Sequence, residues 1–264
     1  MGAACCAAEN DGSVAPLAEI MKDLPAPSPT GDTYERFECS LPFNRITIAN
    51  FERAVNDARP DKPAGEGGEI EKEDFVTFQS LRSSLTTNAW KDLTVGDSPL
   101  HKLLSSKEFQ VNGGEIEGRI SVESLLVMGL LHCAGKPEEK AKTLYCVLQD
   151  GGFDDHAQIS ASDKDLVPVF QKFCAFVTKE IFDLAANEGG IVCMYEKTEV
   201  DKMLKKDTVE ELREEQWLDC IYGTQSRLDN DLWVAKVKKE AKWIFSAKEM
   251  RTRIFALAEV QVKH

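Results

Sequence analysis

The chain has 264 residues, of which 42% are apolar and 29% charged, and its formal net charge is −13 at pH 7. This apolar fraction supports a packed core, and the acidic balance argues against nucleic acid as a partner. Since no apolar run reaches about 18 residues, we expect no membrane-spanning segment, and we expect no secretory signal. The eight cysteines lack a Cys-x-x-Cys spacing, which argues against a zinc site. Because the chain is long and no secretory signal is expected, reduced thiols in the cytosol are predicted, with a set of disulfides as the alternative.

The first six residues, Met-Gly-Ala-Ala-Cys-Cys, predict a lipid anchor. Removal of Met1 would expose Gly2 for myristoylation, and Cys5 or Cys6 would then accept a palmitoyl thioester. Because one myristoyl chain binds a bilayer only marginally, stable anchoring takes this second chain. Cys6 stands where the usual motif has Ser or Thr, so the alternative is an unmodified start with two spare thiols. The anchored protein would be cytoplasmic and peripheral on a membrane.

Residues 1–44 are predicted to form the tether of this anchor. The segment is interrupted by five prolines, Pro16, Pro25, Pro27, Pro29 and Pro42. One short amphipathic helix could form between Leu17 and Leu24. From Ile46 onward the apolar spacing is helical, and strand-like alternation is almost absent, which predicts an all-α class.

Helical stretches then alternate with short loops, so that a helix–loop–helix unit occurs four times. The predicted helices are Ile46–Ala58, Glu71–Leu85, Ser98–Phe109, Ser121–Cys133, Pro137–Leu148, Asp163–Phe176, Phe176–Leu184 and Glu196–Leu204. We therefore expect one pair of units at residues 45–135 and a second pair at residues 136–205.

The four loops end alike, with a glycine or small residue, one further residue and a β-branched residue before the helix. The β-branched residues are Ile70, Ile120, Ile159 and Val192. This pattern resembles the EF-hand superfamily, in which a glycine at loop position 6 makes a sharp turn and an acidic residue at position 12 closes the loop. In that family the β-branched residue at position 8 pairs with the neighbouring loop. The resemblance implies two EF-hand-like pairs, calcium as a cofactor, and an apolar groove that binds a target protein or peptide.

The calcium ligands are incomplete in every loop. With the β-branched residues at position 8, no loop has Asp at position 1. The first loop offers Asp74 at position 12, with Asp61 and Glu66 as further candidates. The third loop is the best candidate if it is longer than standard, because these residues could then surround one ion: Asp150, Asp154, Asp155, Ser160 and Asp163. The alternative is a structural loop whose carboxylates are solvated.

Residues 206–264 are predicted to form a C-terminal helical extension. Thr208 and Glu211 predict a capping box for a helix that ends near Tyr222. Asp229 or Asn230 could cap a long last helix that continues to about Val260. This last helix carries an apolar stripe of Trp233, Val237, Ala241, Ile244, Ala247, Ile254 and Ala258.

The last helix is also basic, with five Lys, two Arg and two Glu between Lys236 and Arg253. Its candidate partner-binding residues are Trp233, Lys238, Lys239, Lys242 and Ile244. Three interpretations remain open. The helix packs as an ordinary terminal helix, docks into the acidic groove of its own EF-hand-like lobe, or contacts anionic lipid beside the acyl anchor.

Motifs for nucleotide binding or hydrolysis are absent from the sequence, so we expect no enzyme. His132 lies in an apolar run and is expected to be a satisfied core histidine. We therefore expect a membrane-anchored calcium sensor or regulatory adaptor with at most one or two working calcium loops. The alternative is a calcium-independent scaffold or structural subunit with degenerate EF-hands.

Overall fold

Helices dominate the computed structural model, which describes residues 33–62, 72–111, 118–149, 158–182, 184 and 197–262. The predicted all-α class is therefore confirmed at this coarse level. Within these ranges, no helix combines the length and the apolar character that a membrane crossing requires.

The described elements follow one another as helices with short strands between them. The first half contains α1 (Thr33–Ser40), a 3₁₀ turn (Pro42–Arg45), α2 (Ile48–Ala58), β1 (Phe75–Thr77), α3 (Phe78–Ser84), a 3₁₀ segment (Asn88–Thr94), α4 (Pro99–Leu104), β2 (Arg119–Ser121) and α5 (Val122–His132). The second half begins with α6 (Pro137–Leu148), β3 (Ile159–Ser160), α7 (Leu166–Ala175), a π-helical segment (Phe176–Glu180) and α8 (Lys197–Met203). It ends with α9 (Lys206–Glu211), a π-helical segment (Leu212–Leu218), α10 (Asp219–Tyr222), β4 (Arg227–Leu228), α11 (Asn230–Glu240), a 3₁₀ turn (Lys242–Phe245) and α12 (Ala247–Val262).

In the described part of the chain, two antiparallel two-stranded sheets join helix–strand–helix units in pairs. Strands β1 and β2 place Val76 opposite Ile120, and strands β3 and β4 place Ile159 opposite Leu228. We number the units along the chain: unit 1 is α2–β1–α3, unit 2 is α4–β2–α5, unit 3 is α6–β3–α7 and unit 4 is α10–β4–α11. Each sheet therefore connects two units that are consecutive among these four.

The predicted strand partners were wrong in units 1 and 4. Val76, and not Ile70, lies opposite Ile120 because strand β1 begins only at Phe75, well after the Gly-rich stretch. Leu228, and not Val192, lies opposite Ile159. Residues Ile70 and Val192 themselves lie outside the described part of the chain. The second pair thus crosses the boundary expected at residue 205, and residues 206–240 complete it instead of extending it.

The C-terminal helix is interrupted where one long helix was expected. Asp229, one of the two predicted candidates, caps its start, since its Oδ1 accepts the Leu232 N–H at 2.9 Å. Helix α11 ends at Glu240, however, and α12 begins only at Ala247. The seven residues of the predicted apolar stripe are nevertheless all buried. The expected capping box at Thr208 was wrong, because α9 already begins at Lys206 and its N-cap is the residue before it.

Helix α1 was expected to be part of the tether, yet it packs into the fold. Glu38 and Arg251 form a buried ion pair in which Arg251 Nη2 donates to Glu38 Oε2 at 3.0 Å and Nη1 donates to Oε1. Arg251 Nη1 also donates to the Val177 carbonyl oxygen at 3.1 Å. The Tyr34 ring stacks on Phe182 with centroids 4.1 Å apart. Residues 33–44 therefore belong to the core, whereas residues 1–32 lie outside the described ranges.

One continuous hydrophobic core joins the two pairs. At the contact of α2 with α5, Gly129 faces the Phe51 ring so closely that a Cβ would come within 2.7 Å of it. The rings of Phe43, Phe51 and Trp90 form a cluster with centroids 5.1 to 5.7 Å apart. Among the described residues, the only large apolar side chain that is exposed is Val95. The described surface therefore presents no open apolar patch.

Candidate functional site

In units 1 and 2, a polar side chain at the end of each strand caps the following helix. In unit 1, Thr77 Oγ1 accepts the Ser80 N–H at 3.1 Å. In unit 2, Ser121 Oγ accepts the Ser124 N–H at 3.2 Å, and Ser124 Oγ donates to the Glu108 carbonyl oxygen at 2.8 Å. An N-cap of this kind satisfies a backbone N–H that the helix leaves without a partner. The loop thus closes onto the helix through the chain's own side chains.

Unit 4 repeats this arrangement with Asp229 and Leu232, whereas unit 3 reverses it. In unit 3 the later residue is the acceptor, because Asp163 Oδ2 accepts the Ser160 N–H at 2.7 Å. The Ser160 and Ser162 hydroxyl oxygens lie 2.9 Å apart. Unit 3 is therefore the only one of the four with a carboxylate at this closing position.

The structure brings together two of the five residues that were predicted to bind calcium. Ser160 and Asp163 are hydrogen-bonded to each other at the end of the third loop. Asp150, Asp154 and Asp155 lie outside the described residues. Within the described ranges, no group of three or more His, Cys, Asp or Glu side chains could hold a metal ion. The proposed calcium site at the third loop stays a prediction.

In the first loop, cations of the same chain neutralise the carboxylates that had been considered as ligands. Asp61 Oδ1 lies 3.0 Å from Lys72 Nζ, and Asp74 Oδ1 lies 3.1 Å from Arg59 Nη2. Glu66 lies outside the described residues. Both described carboxylates therefore already have a positively charged partner, and a calcium ion would have to compete with it.

The two apolar residues that were predicted to bind a partner are buried in the core. Trp233 and Ile244 are both 0% exposed, and Trp233 Nε1 donates to the Ala141 carbonyl oxygen of α6 at 3.1 Å. A partner could reach these two side chains only if α11 and its neighbours separated. Packing of the terminal segment within the chain is the interpretation that agrees with this burial.

The three predicted lysines lie on the outer side of the same segment. Lys238 forms an ion pair with Glu138 of α6, and Lys239 forms one with Glu240 at 2.7 Å. Lys242 is exposed. These side chains are accessible to a partner, although exposed ion pairs of this kind contribute little to stability.

The predicted acylation residues Gly2, Cys5 and Cys6 lie outside the described part of the chain. Lipid anchoring therefore stays a prediction from the sequence. The first described residues belong to α1, which the buried pair of Glu38 and Arg251 fixes against α12. An anchor at Gly2 would consequently be connected to the folded part through α1.

A cleft of about 470 Å³ opens between α2, α5, α6 and α7. Its apolar lining includes Val122 and Leu126 of α5 and Val147 of α6. Glu52 of α2 lines the cleft as well, and its Oε2 accepts a hydrogen bond from the Thr143 hydroxyl at 2.7 Å. The cleft lies where the first pair of units meets unit 3, and its volume falls within the range of about 300–1,000 Å³ typical of ligand sites.

Glu52 differs from the other charged residues of this cleft in its surroundings. Burial raises the pKa of its carboxyl group, and the hydrogen bond from Thr143 offsets this only in part. The neighbouring charges are paired with each other, since Lys172 Nζ lies 2.7 Å from Glu123 Oε1. Glu52 was not among the site residues predicted from the sequence. The available signal was its position four residues after Ile48, on the apolar face of α2.

His132 was correctly assigned to the core, since only 8% of it is exposed. Burial lowers its pKa to about 3, and the positive charges of Arg251 and Lys140 add to this effect. Its Nε2 atom has no hydrogen-bond partner among the described residues, so the expectation of full satisfaction was wrong. His132 is therefore neutral at physiological pH.

No protein-family model matches this chain, and no curated protein or solved structure matches it either. The basis for a function is therefore the geometry of the four helix–strand–helix units and of the cleft.

Proposed function

We propose that the protein is an EF-hand-like adaptor whose helix–strand–helix units are held in place largely without calcium and which binds a target protein. The observation that carries this proposal is the set of side-chain caps in units 1, 2 and 4. Each capping side chain accepts the backbone N–H of the residue that stands where an EF-hand loop has its closing carboxylate. The helices are thereby positioned relative to the strands by the chain itself.

The residues that pair across the two sheets define how each unit is aligned with the positions of an EF-hand loop. With each of them at loop position 8, position 12 is four residues further along the chain. In units 1, 2 and 4 these positions hold Ser80, Ser124 and Leu232. None of these side chains has the carboxylate that a calcium loop uses at position 12, where it normally supplies two of the ion's oxygen ligands.

The ion pairs of the first loop support the same conclusion. Arg59 and Lys72 supply there the positive charge that a bound ion would otherwise supply to Asp74 and Asp61. A calcium ion would have to displace these two cations and would find few other oxygen ligands. Binding at unit 1 is accordingly weak or absent.

A second candidate function, a calcium sensor with a single working loop, is favoured by one observation in unit 3. Asp163 lies at position 12 of that loop and is the closing carboxylate that the other units lack. Asp150, Asp154 and Asp155 are the further ligands predicted from the sequence. In this case calcium would act on the second pair only.

Membrane attachment is the remaining part of the proposal, and the sequence Met-Gly-Ala-Ala-Cys-Cys supports it. Myristate on Gly2 and palmitate on Cys5 or Cys6 would hold the adaptor on the cytoplasmic face of a membrane. Cellular incorporation of an alkyne-labelled myristate tests this part, with Gly2→Ala as the control. Equal labelling of both proteins would contradict N-terminal myristoylation.

Thermal unfolding in the presence of a chelator and in ~1 mM calcium tests the central part of the proposal. A calcium site with a Kd of about 10 μM would stabilise the native state by about 2.7 kcal/mol under these conditions. For a chain of this size, such a gain raises Tm by roughly 5–10 °C. We expect an unchanged Tm in the Asp163→Ala variant, and any rise in the wild type is expected to come from unit 3. A rise of this size in the Asp163→Ala variant would contradict the proposal.

A further inference from the structure

We propose that the cleft at Glu52 binds one Arg or Lys side chain of a target peptide, with the Glu52 carboxylate as its counter-ion. The inference rests on the proposed adaptor function, because it names the place and the chemistry of target binding. Since the described surface has no open apolar patch, a target needs a different anchor, and the cleft offers one.

The first argument is the distribution of charge in the cleft. Of the cations that line it, Arg59 pairs with Asp74 and Lys172 pairs with Glu123, while Lys107 is exposed at the rim. Among the described residues, no cation pairs with Glu52, whose one hydrogen bond comes from the neutral hydroxyl of Thr143. An incoming cation would therefore find a carboxylate that the chain leaves without an opposite charge.

The second argument is the cost of burying that carboxylate. Glu52 is partly buried, and this burial raises the pKa of its carboxyl group because it disfavours the charged form. A carboxylate in this condition gains more from an opposite charge than an exposed one does, because solvent screens the pair less. Hydrogen bonds between two such ionised groups are also roughly twice as strong as neutral ones.

The third argument is the shape of the ligand that the cleft suits. Its walls include Val122, Leu126 and Val147, which are apolar and lie on two helices. Arg and Lys have long aliphatic stems that pack against such walls while the charged end reaches a carboxylate. A metal ion is a poorer match, because it would require several oxygen ligands, and no suitable cluster exists in the described ranges.

The experiment uses the full unacylated chain, labelled with ¹⁵N, in the presence of a chelator. The probe is the peptide acetyl-Leu-Arg-Leu-amide, and the matched peptide has norleucine in place of Arg. Binding is followed by amide chemical shifts as either peptide is titrated. The Glu52→Gln variant keeps the size of the side chain and its ability to accept from Thr143, and Glu249→Gln changes an exposed carboxylate on α12 as the control.

We expect saturable shifts with the Arg peptide, at residues that line the cleft. Affinity is expected to fall about tenfold or more in Glu52→Gln, and by as much when norleucine replaces Arg, because either change removes one charge of the pair. Glu249→Gln is expected to bind like the wild type. The inference is overturned by equal affinity for the two peptides, by equal affinity in Glu52→Gln, or by no saturation up to about 10 mM peptide.

A second series in ~1 mM calcium separates this inference from the proposed function. Peptide binding that is equal with and without calcium, and is lost in Glu52→Gln, supports both. Binding that appears only with calcium and is still lost in Glu52→Gln supports the cleft but contradicts the calcium-independent adaptor. Binding that is unchanged in Glu52→Gln, with or without calcium, overturns the inference but does not contradict the adaptor function.

Discussion

The buried ion pair between Glu38 and Arg251 offers a direct test of whether α1 belongs to the folded core. The two residues are only 5% and 3% exposed, and they lie 213 positions apart in the chain, on α1 and α12. In Glu38→Gln, Arg251 would keep the Val177 carbonyl oxygen as an acceptor but lose its opposite charge. Removal of one partner from a buried pair typically destabilises a protein by about 3–5 kcal/mol.

Equilibrium unfolding in urea, followed by tryptophan fluorescence, measures this loss. With a slope of about 3 kcal/mol/M, the midpoint for Glu38→Gln is expected to fall by roughly 1–1.7 M. Lys239→Gln breaks an exposed ion pair with Glu240 and serves as the control. We expect no resolvable change in this control, because pairing on the surface contributes little.

A double variant separates the effect of leaving one charge buried alone from the effect of changing the side chains at these two positions. Replacement of both side chains by apolar ones, Glu38→Leu with Arg251→Met, removes the charges together and leaves neither of them buried alone. Such exchanges are often nearly neutral, so the double variant is expected to be more stable than Glu38→Gln. A loss below about 1 kcal/mol in Glu38→Gln would refute the reasoning and would mean that α1 does not dock on α12 in solution.

Three further outcomes are expected from the packing, the caps and the buried histidine. Gly129→Ala places a methyl group against the Phe51 ring and is expected to cost about 1–3 kcal/mol in urea unfolding, and no loss would show that α2 and α5 are further apart. Ser121→Ala removes the cap of α5 and is expected to cost ~1 kcal/mol, with unchanged stability as the contradicting result. His132 has a pKa of 6.5 in the unfolded chain and of about 3 in the native one, so between these pH values only the unfolded chain binds a proton there. The contribution of His132 to the free energy of unfolding is therefore complete above pH 6.5 and is lost as the pH falls towards 3. His132→Gln should therefore flatten the acid side of the stability profile by up to about 1.4 kcal/mol per pH unit, and an identical profile would contradict the burial of a neutral imidazole. Burial raises the pKa of Glu180 to about 7, so the contribution of Glu180 to stability falls as the pH rises. This contribution is the same in the wild type and in His132→Gln, and it therefore cancels when the two profiles are compared.

Local signals in the sequence located several helices well. Helix α6 has the predicted bounds, because Pro137 suits the first helical position and Glu138 and Glu139 follow in the first turn. Helix α5 lies within one residue of its prediction, with Ser121 as its N-cap. Signals of this kind lie within a few residues of the element that they define.

Contacts between residues that are distant in the chain could not be predicted from such local signals. The partner of Ile159 is Leu228, although Val192 follows a Gly-rich stretch that resembles the other loops more closely. The choice between them depends on which helices pack together, and no local pattern encodes that. The pairing of Glu38 with Arg251 was missed for the same reason.

The candidate site was predicted in part. Asp163 and Ser160 are hydrogen-bonded to each other in the turn before α7, whereas their role as calcium ligands stays a prediction. The expected role of Trp233 and Ile244 in partner binding did not anticipate that the chain itself covers both. Glu52 was overlooked, since a single acidic residue on an apolar face is read as an interruption of the pattern and its surroundings come from three other helices.

The most direct test of the central claim is a calorimetric titration of calcium into the metal-free, unacylated chain. Because units 1, 2 and 4 lack a closing carboxylate, we expect either no binding below millimolar calcium or one site only, which Asp150→Ala and Asp163→Ala both abolish. Two or more sites with micromolar affinity, or one site that survives Asp163→Ala, would contradict the account of units that are held in place by their own side chains.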